Sequence, residues 1–137
     1  MLKKDNDEIF LDTDYFKALM FEDDENHDVA VEIKKRLDDS ASPTAINTIV
    51  LGETLDIASK SGIFPIKINK IIKNNHKIYD VSKKDFNNAL ELCDKCDNKV
   101  RFDECVNRIT MMKHDINSIV TFEKYFNYFN NITVINR

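Results

Sequence analysis

Short apolar runs alternate with segments of helical period along the whole of this sequence, and that alternation constrains the fold more than any other feature. Ile9-Phe10-Leu11 reads as a buried strand. Asp28 to Leu37 carries Val29, Ile33, Arg36 and Leu37 near helical spacing, and the run Asp38-Asp39-Ser40-Ala41-Ser42-Pro43 ends it. Residues Thr44 to Lys60 have helical period, with a brief strand just before them left open. Ile66 to Ile72 is a second helical stretch, and Lys77 to Val81 suggests a strand. Ser82 then reads as a helix N-cap, with Phe86, Ala89, Leu90 and Cys93 at i, i+3, i+4 and i+7 behind it. Asp103 to His114 sets Cys105, Val106, Ile109 and Met112 on one helix face, and two runs, Ser118 to Thr121 and Ile132 to Ile135, close the chain as strands. Strands that alternate with helices are expected to build an α/β domain with a mainly parallel central sheet and helices on both faces.

The 137 residues suit one domain, 1–137, long enough to bury a core. With 2 Gly and 2 Pro the chain lacks the turn residues of an all-β sandwich. No repeat or linker divides it. Residues 1–8 are polar and charged, read as an N-terminal extension, and no apolar h-region follows, so a secretory signal is not expected. No apolar run approaches the about 18 residues of a membrane span. Three cysteines, an odd number at low density, point to a reducing cytoplasm. A net charge of −4 excludes a nucleic-acid binder that works through a global positive field. It does not exclude one that approaches phosphate through bound cations, because the ions supply the positive charge.

Acidic residues stand where such a fold binds ligands, at the carboxyl ends of strands. Asp12 ends the first apolar run and is followed by Thr13 and Asp14. Glu123 follows Ile119-Val120-Thr121-Phe122 at a similar strand-to-helix corner. Asp12 is equally readable as a plain N-cap. On the helix ending at Lys60, Thr48, Gly52, Asp56 and Ser59 mark a polar face, yet Glu53 falls among Ile46, Ile49, Val50 and Ile57. A carboxylate there needs a partner cation or a metal, or a raised pKa. Asp103 opens its helix, where it serves either the dipole or a ligand site. As a set, Asp12, Glu53, Asp103 and Glu123 would repel one another in one cleft unless cations were bound. All-oxygen ligands favour Mg²⁺ or Mn²⁺ over zinc.

These segments resemble a known family. Ile9-Phe10-Leu11-Asp12-Thr13 resembles the opening strand of PIN domains, and Ile49 to Leu55, carrying Glu53, is similar to the helix with the second acid. Val100 to Cys105, with Asp103, resembles the third acidic segment, and Ser118 to Phe126 the closing "TFD-x-x-F" corner. The order of the four is more specific than any one of them. The family's fourth acid is usually Asp, whereas this chain has Glu123. The resemblance implies a VapC-type toxin ribonuclease, a metal-dependent enzyme cleaving RNA phosphodiesters, with Mg²⁺ or Mn²⁺ as cofactor. It also implies a homodimer and a small antitoxin protein as partner. Asp12 and Asp103 would be the principal ligands, Glu53 a ligand directly or through water, and Glu123 a support for a second metal. Thr13, Asp14 and Thr121 are supporting candidates that also serve as helix-start residues.

Two other signals are bland by comparison. Cys93-x-x-Cys96 with Cys105 and His114 formally makes a Cys₃His set, but Cys105 and His114 lie about 13 Å apart along one helix and on opposite faces. Lys67, Lys70, Lys73, Lys77, Lys83 and Lys84 form the most basic region, read as a solvated face or as a track for RNA backbone leading to the cleft. The rival to the nuclease reading is a non-catalytic α/β binding or signalling module with a single Mg-binding acidic pocket. A receiver-like version is weakened by Asp56, which sits on a polar helix face rather than at a strand end.

Overall fold

Five short strands, β1 (Ile9–Leu11), β2 (Thr44–Asn47), β3 (Lys77–Tyr79), β4 (Ser118–Val120) and β5 (Thr133–Ile135), form one sheet in the order β3-β2-β1-β4-β5. Every neighbouring pair is parallel. The computed structural model describes residues 7–137, so most of the polar extension expected over 1–8 lies outside the described residues. Six helices connect the strands: α1 (Thr13–Met20), α2 (His27–Ser40), α3 (Thr48–Lys60), α4 (Pro65–Asn75), α5 (Lys83–Lys95) and α6 (Phe102–Lys113). A 3-10 turn, Tyr125–Tyr128, lies between β4 and β5. From β1 the chain steps outward to β2 and β3 and then returns across the sheet to β4. Right-handed crossovers therefore place α1 to α4 on one face and α5 and α6 on the other.

The strands are buried because their side chains serve the core on both faces. Phe10, Leu11, Ile46, Ile119 and Val120 have no exposed surface, and they pack with Ile33 of α2 and Val50 of α3. A second apolar cluster, Ala89, Val100, Cys105 and Val106, seals α5 against α6. No helix among the described residues is long and apolar enough to cross a membrane.

Two boundaries and two residues expected on apolar faces differ from the sequence reading, each for a local reason. The brief strand does not precede Thr44 but takes the first four residues of the segment, so Ile46 is a strand residue. Asn47 sets the change from strand to helix: its Oδ1 accepts a hydrogen bond from Val50 N at 2.9 Å, as the N-cap of α3. Helix α2 continues past Leu37 to Ser40, helped by the Lys34–Asp38 pair at 2.7 Å. Ala41 ends it in a left-handed conformation (φ 50°), with Ser42 N reaching back to Leu37 O. Leu90 and Met112, expected on apolar faces, are 57% and 55% exposed. The α5–α6 seam is narrow enough that Ala89, Cys105 and Val106 fill it, and the next positions turn outward.

Helix α5 begins with a capping box. Ser82 accepts from Asp85 N at 3.1 Å, and Asp85 accepts from Ser82 N at 2.9 Å. Ser82→Ala is expected to lower unfolding free energy by about 1 kcal/mol, read from urea midpoints at constant m-value.

Candidate active site

The sheet changes direction between β1 and β4, the switch point at which parallel sheets open a crevice beyond their carboxyl ends. Asp12 is the first residue past β1 and caps α1, its Oδ1 accepting from Thr13 N at 2.8 Å. Thr121, the first residue past β4, donates its hydroxyl to Asp12 Oδ2 at 2.8 Å. The ladder carries on under both, through Asp12 N to Val120 O at 3.0 Å. Asp12 is thus held by two adjacent strands and is only 3% exposed.

The other acids are set around it by short contacts. Thr13 donates to Glu53 Oε1 at 2.6 Å, tying the start of α1 to the second turn of α3. Asp14 Oδ2 accepts from Phe122 N at 2.9 Å, whereas its buried Oδ1 has no partner. Arg101 donates Nε–H to Asp103 Oδ1 at 2.6 Å. Asp12, Glu53, Asp103 and Glu123, the four acids expected to converge, line one cleft of roughly 350 Å³ together with Asp14 and Thr13. Glu53 is half-buried at the cleft wall rather than within the apolar stripe, and Glu123 N is fixed by Thr121 Oγ1 at 3.2 Å.

Sequence reasoning missed three residues here. Glu104, next to Asp103, is 1% exposed and hydrogen-bonded to Asp12. Asn107, one turn on, uses its amide N–H groups on Glu104 Oε1 (2.9 Å) and Asp12 Oδ1 (3.4 Å), while its carbonyl accepts from Asn47 at 3.0 Å. Asn47 gives its second N–H to Thr110 Oγ1 at 2.9 Å, so the network joins β1, α3 and α6 with each amide fully used. Arg101 is the third. The signal was present: Glu104, Asn107 and Met111 recur at i, i+3 and i+7, a second buried stripe beside Cys105 and Val106. Because one N–H of Asn47 would lose its acceptor and the carboxyls of Asp12 and Glu104 a donor each, Asn107→Ala is expected to cost about 2–3 kcal/mol in urea unfolding, more than an exposed Asn on the same helix.

Crowding these carboxyls raises their proton affinity. Burial, then Asp12 nearby, pushes Asp14 up to about 7. Burial and the neighbouring Asp103 push Glu53 to about 7. Burial and Asp12 push Glu104 to about 10, and burial also raises Asp12. Asp103 is the exception: burial would raise it, but Arg101 holds it below the usual value. Glu104 lies against Asp12 and Glu53 against Asp103, so within each pair ionising one carboxyl raises the proton affinity of the other. Among the described residues no three His, Cys, Asp or Glu side chains are disposed about one point that would hold an ion. The donor set nonetheless fits a hard divalent cation. It is all oxygen, it carries more negative charge than its surroundings neutralise, and Asp14 Oδ1 is buried without a partner.

The discounted signals stay discounted. Cys93 Sγ meets Cys105 Sγ at 3.3 Å inside the α5–α6 cluster, with Cys96 half-buried against it, while His114 stacks on Tyr79 with ring centroids 3.7 Å apart. None of the six lysines from Lys67 to Lys84 lines the acidic cleft; its cations are Lys17 and Arg101.

Comparison with known proteins agrees with this geometry. None of the curated proteins compared matches the sequence. Among solved structures, VapC20 of Mycobacterium tuberculosis, described as a sarcin–ricin loop cleaving toxin, superposes with a TM-score of 0.73 at 23% identity, over 88% of this chain and 93% of that one. VapBC2 of Rickettsia felis, bound to a DNA fragment from its promoter, gives 0.68 at 20% identity over 95% and 98%. A toxin–antitoxin complex from Klebsiella pneumoniae gives 0.64 at 18% identity over 93% and 95%. The family model described as the PIN domain matches residues 9–131, which span β1 to β4, all six helices and all the acids of the cleft, and stop just short of β5. With sheet order, switch-point acids and family match in agreement, this chain belongs to the PIN-domain family.

Proposed function

We propose that the chain is a metal-dependent endoribonuclease and the toxin of a toxin–antitoxin pair. The single observation that carries the reading is the lining of one cleft by seven carboxyls, Asp12, Asp14, Glu53, Asp56, Asp103, Glu104 and Glu123, at the switch point of a PIN fold. Folding stability gives no reason to assemble so many like charges in one place, whereas binding of cations and phosphate does. Among the structural neighbours, one is described as cleaving the sarcin–ricin loop and two are complexes of toxin with antitoxin or named for that pair.

A bound Mg²⁺ or Mn²⁺ supplies a water of lowered pKa and neutralises charge on the scissile phosphate and the leaving oxygen. Asp12 and Glu104, the most buried of the acids, would hold it most deeply, and Asp14, Glu53 and Asp103 line the same cleft. Glu123 lines the cleft as well and would support a second ion. The Thr121 and Thr13 hydroxyls hold Asp12 and Glu53 in orientation. Asn107 fixes Glu104 and Asp12 relative to each other, the outer-sphere role that keeps ligands aimed. Ligation requires Glu104 to release its proton, so uptake of metal is coupled to pH.

A small inhibitory protein partner fits a second surface. An apolar groove of roughly 600 Å³ runs beside α1, α2 and α4, lined by Tyr15, Phe16, Leu19, Leu37, Ile68 and Ile72. It holds no cluster of acids and is read as a docking groove rather than a catalytic one. The test of the main reading is incubation of the purified chain with RNA in Mn²⁺, Mg²⁺ or EDTA. Cleavage in either metal and none in EDTA is expected. RNA left intact while Mn²⁺ still binds would favour the non-catalytic module with an acidic Mg²⁺ pocket.

A further inference from the structure

Arg101 is placed unlike any other cation among the described residues. Its Nε donates to Asp103 Oδ1 at 2.6 Å and its Nη2 lies 3.7 Å from Glu104 Oε2. Its guanidinium carbon stands 5.2 Å from the centroid of the Tyr125 ring, so the group is supported from one side by an aromatic face. Yet the side chain is 52% exposed and lines the acidic cleft, whereas Asp103 is 22% exposed and Glu104 1%. A guanidinium has five N–H donors in a rigid fork suited to phosphate as well as carboxylate. Lys17, the other cation of the cleft, is drawn toward Asp24 at 3.9 Å. A cation placed only to stabilise the fold has no need of the cleft mouth, half in solvent and on an aromatic platform.

We propose that Arg101 is an exchange cation and the RNA-phosphate contact of this site. While no metal is bound it neutralises Asp103 and lies 3.7 Å from Glu104. When ions take those carboxylates, the guanidinium pivots on the Tyr125 face and engages a phosphate of the RNA next to the scissile one. This inference rests on the ribonuclease reading and adds to it a binding residue that the carboxylates themselves do not provide. The two roles predict opposite effects of one substitution. In Arg101→Gln a competitor for Asp103 and Glu104 is gone, so Mn²⁺ binds at least about threefold more tightly. RNA loses a charged, forked contact, so its affinity falls by about tenfold and the slope of log affinity against log salt shrinks by about one contact.

The experiment measures both on the full chain. Mn²⁺ affinity is taken by calorimetry without RNA. RNA affinity is taken by fluorescence anisotropy, using a labelled single-stranded RNA of random sequence in Ca²⁺, with its intactness checked on a gel, across a salt series. Arg101→Lys keeps the charge without the fork and should fall between parent and Arg101→Gln in RNA affinity; it also serves if the Gln variant fails to fold. Tighter Mn²⁺ binding with weaker, less salt-sensitive RNA binding supports the proposal. Weaker Mn²⁺ binding with unchanged RNA affinity and slope makes Arg101 a strut for the carboxylates and overturns it. If the parent cleaves RNA while the variants bind RNA as it does, only the role of Arg101 falls. If the parent neither binds nor cleaves RNA, the ribonuclease reading falls and this inference with it.

Discussion

Asp12→Asn and Glu104→Gln are each expected to reduce RNA cleavage by about a thousandfold or more, with Asp103→Asn costing clearly less. A factor of that size corresponds to about 4 kcal/mol of transition-state stabilisation, within what metal-held charge supplies. The ranking follows from where the carboxyls sit. Asp12 and Glu104 are buried, share Asn107, and touch each other at the base of the cleft. Asp103 is at the rim, already satisfied by Arg101. Each substitution is nearly isosteric, and Asn at position 12 still caps α1, so the fold should survive. The measurement is single-turnover cleavage in saturating Mn²⁺, with circular dichroism as the folding control. If Asp103→Asn proves the most damaging of the three, the deep ligand from α6 has been misassigned and Asp103 takes its place.

In EDTA the protein is expected to melt higher at pH 5.5 than at pH 8, by several degrees, the reverse of an ordinary salt-bridged acidic protein. The sign comes from proton binding. Asp14 and Glu53 are raised to about 7 and Glu104 to about 10, all above their unfolded values of 3.8 and 4.5. Between the unfolded and folded values the native state holds more protons, so stability falls as pH climbs through that window. Asp103, lowered against its burial by Arg101, has the opposite sign, but its stabilisation is lost only as pH drops below about 4; His76 and His114, lowered by burial, oppose the trend at about pH 6, and the three raised carboxyls outnumber them. Millimolar Mn²⁺ should restore the melting temperature at pH 8, where the ligands are free of protons, and do much less at pH 5.5. A several-degree shift corresponds to roughly 1–2 kcal/mol in a chain of this length. Scanning calorimetry at the two pH values, with EDTA and with Mn²⁺, reads all four states. A melting temperature that rises with pH in EDTA would show that the acids do not raise one another's proton affinity, and so do not crowd one another.

Much of this was legible before any coordinates, and the reasons are physical. Buried parallel strands are short apolar runs, so Ile9-Phe10-Leu11 and the run from Ser118 announced themselves, and the acid just past each marked the cleft. Ser82 was readable because a capping box is a local pattern of side chains on their own backbone. Glu104 was not, because an acid beside Asp103 at a helix start looks like one more dipole charge, and its burial is decided by β1 folding against α6 across 92 residues of sequence. Asn107 and Asn47 were hidden for the same reason, since their worth lies wholly in each other. Leu90 and Met112 erred the other way: helical spacing gives a face, but the width of the seam against α5 or α6 decides how much of that face is covered.

The contact between Thr121 and Asp12 joins residues 109 positions apart, and it lies at the centre of the sheet. A chain emerging from the ribosome therefore has β1 early but cannot complete its reaction centre until β4 has also emerged. Up to that moment β1 has β2 on one side and an open edge on the other, and closing so long a loop is slow compared with forming local helices. For a protein read as a toxin this amounts to a delay built into synthesis. Until β4 docks, Asp12 lacks the Thr121 hydroxyl that orients it, and α1 to α4 can already have met a partner.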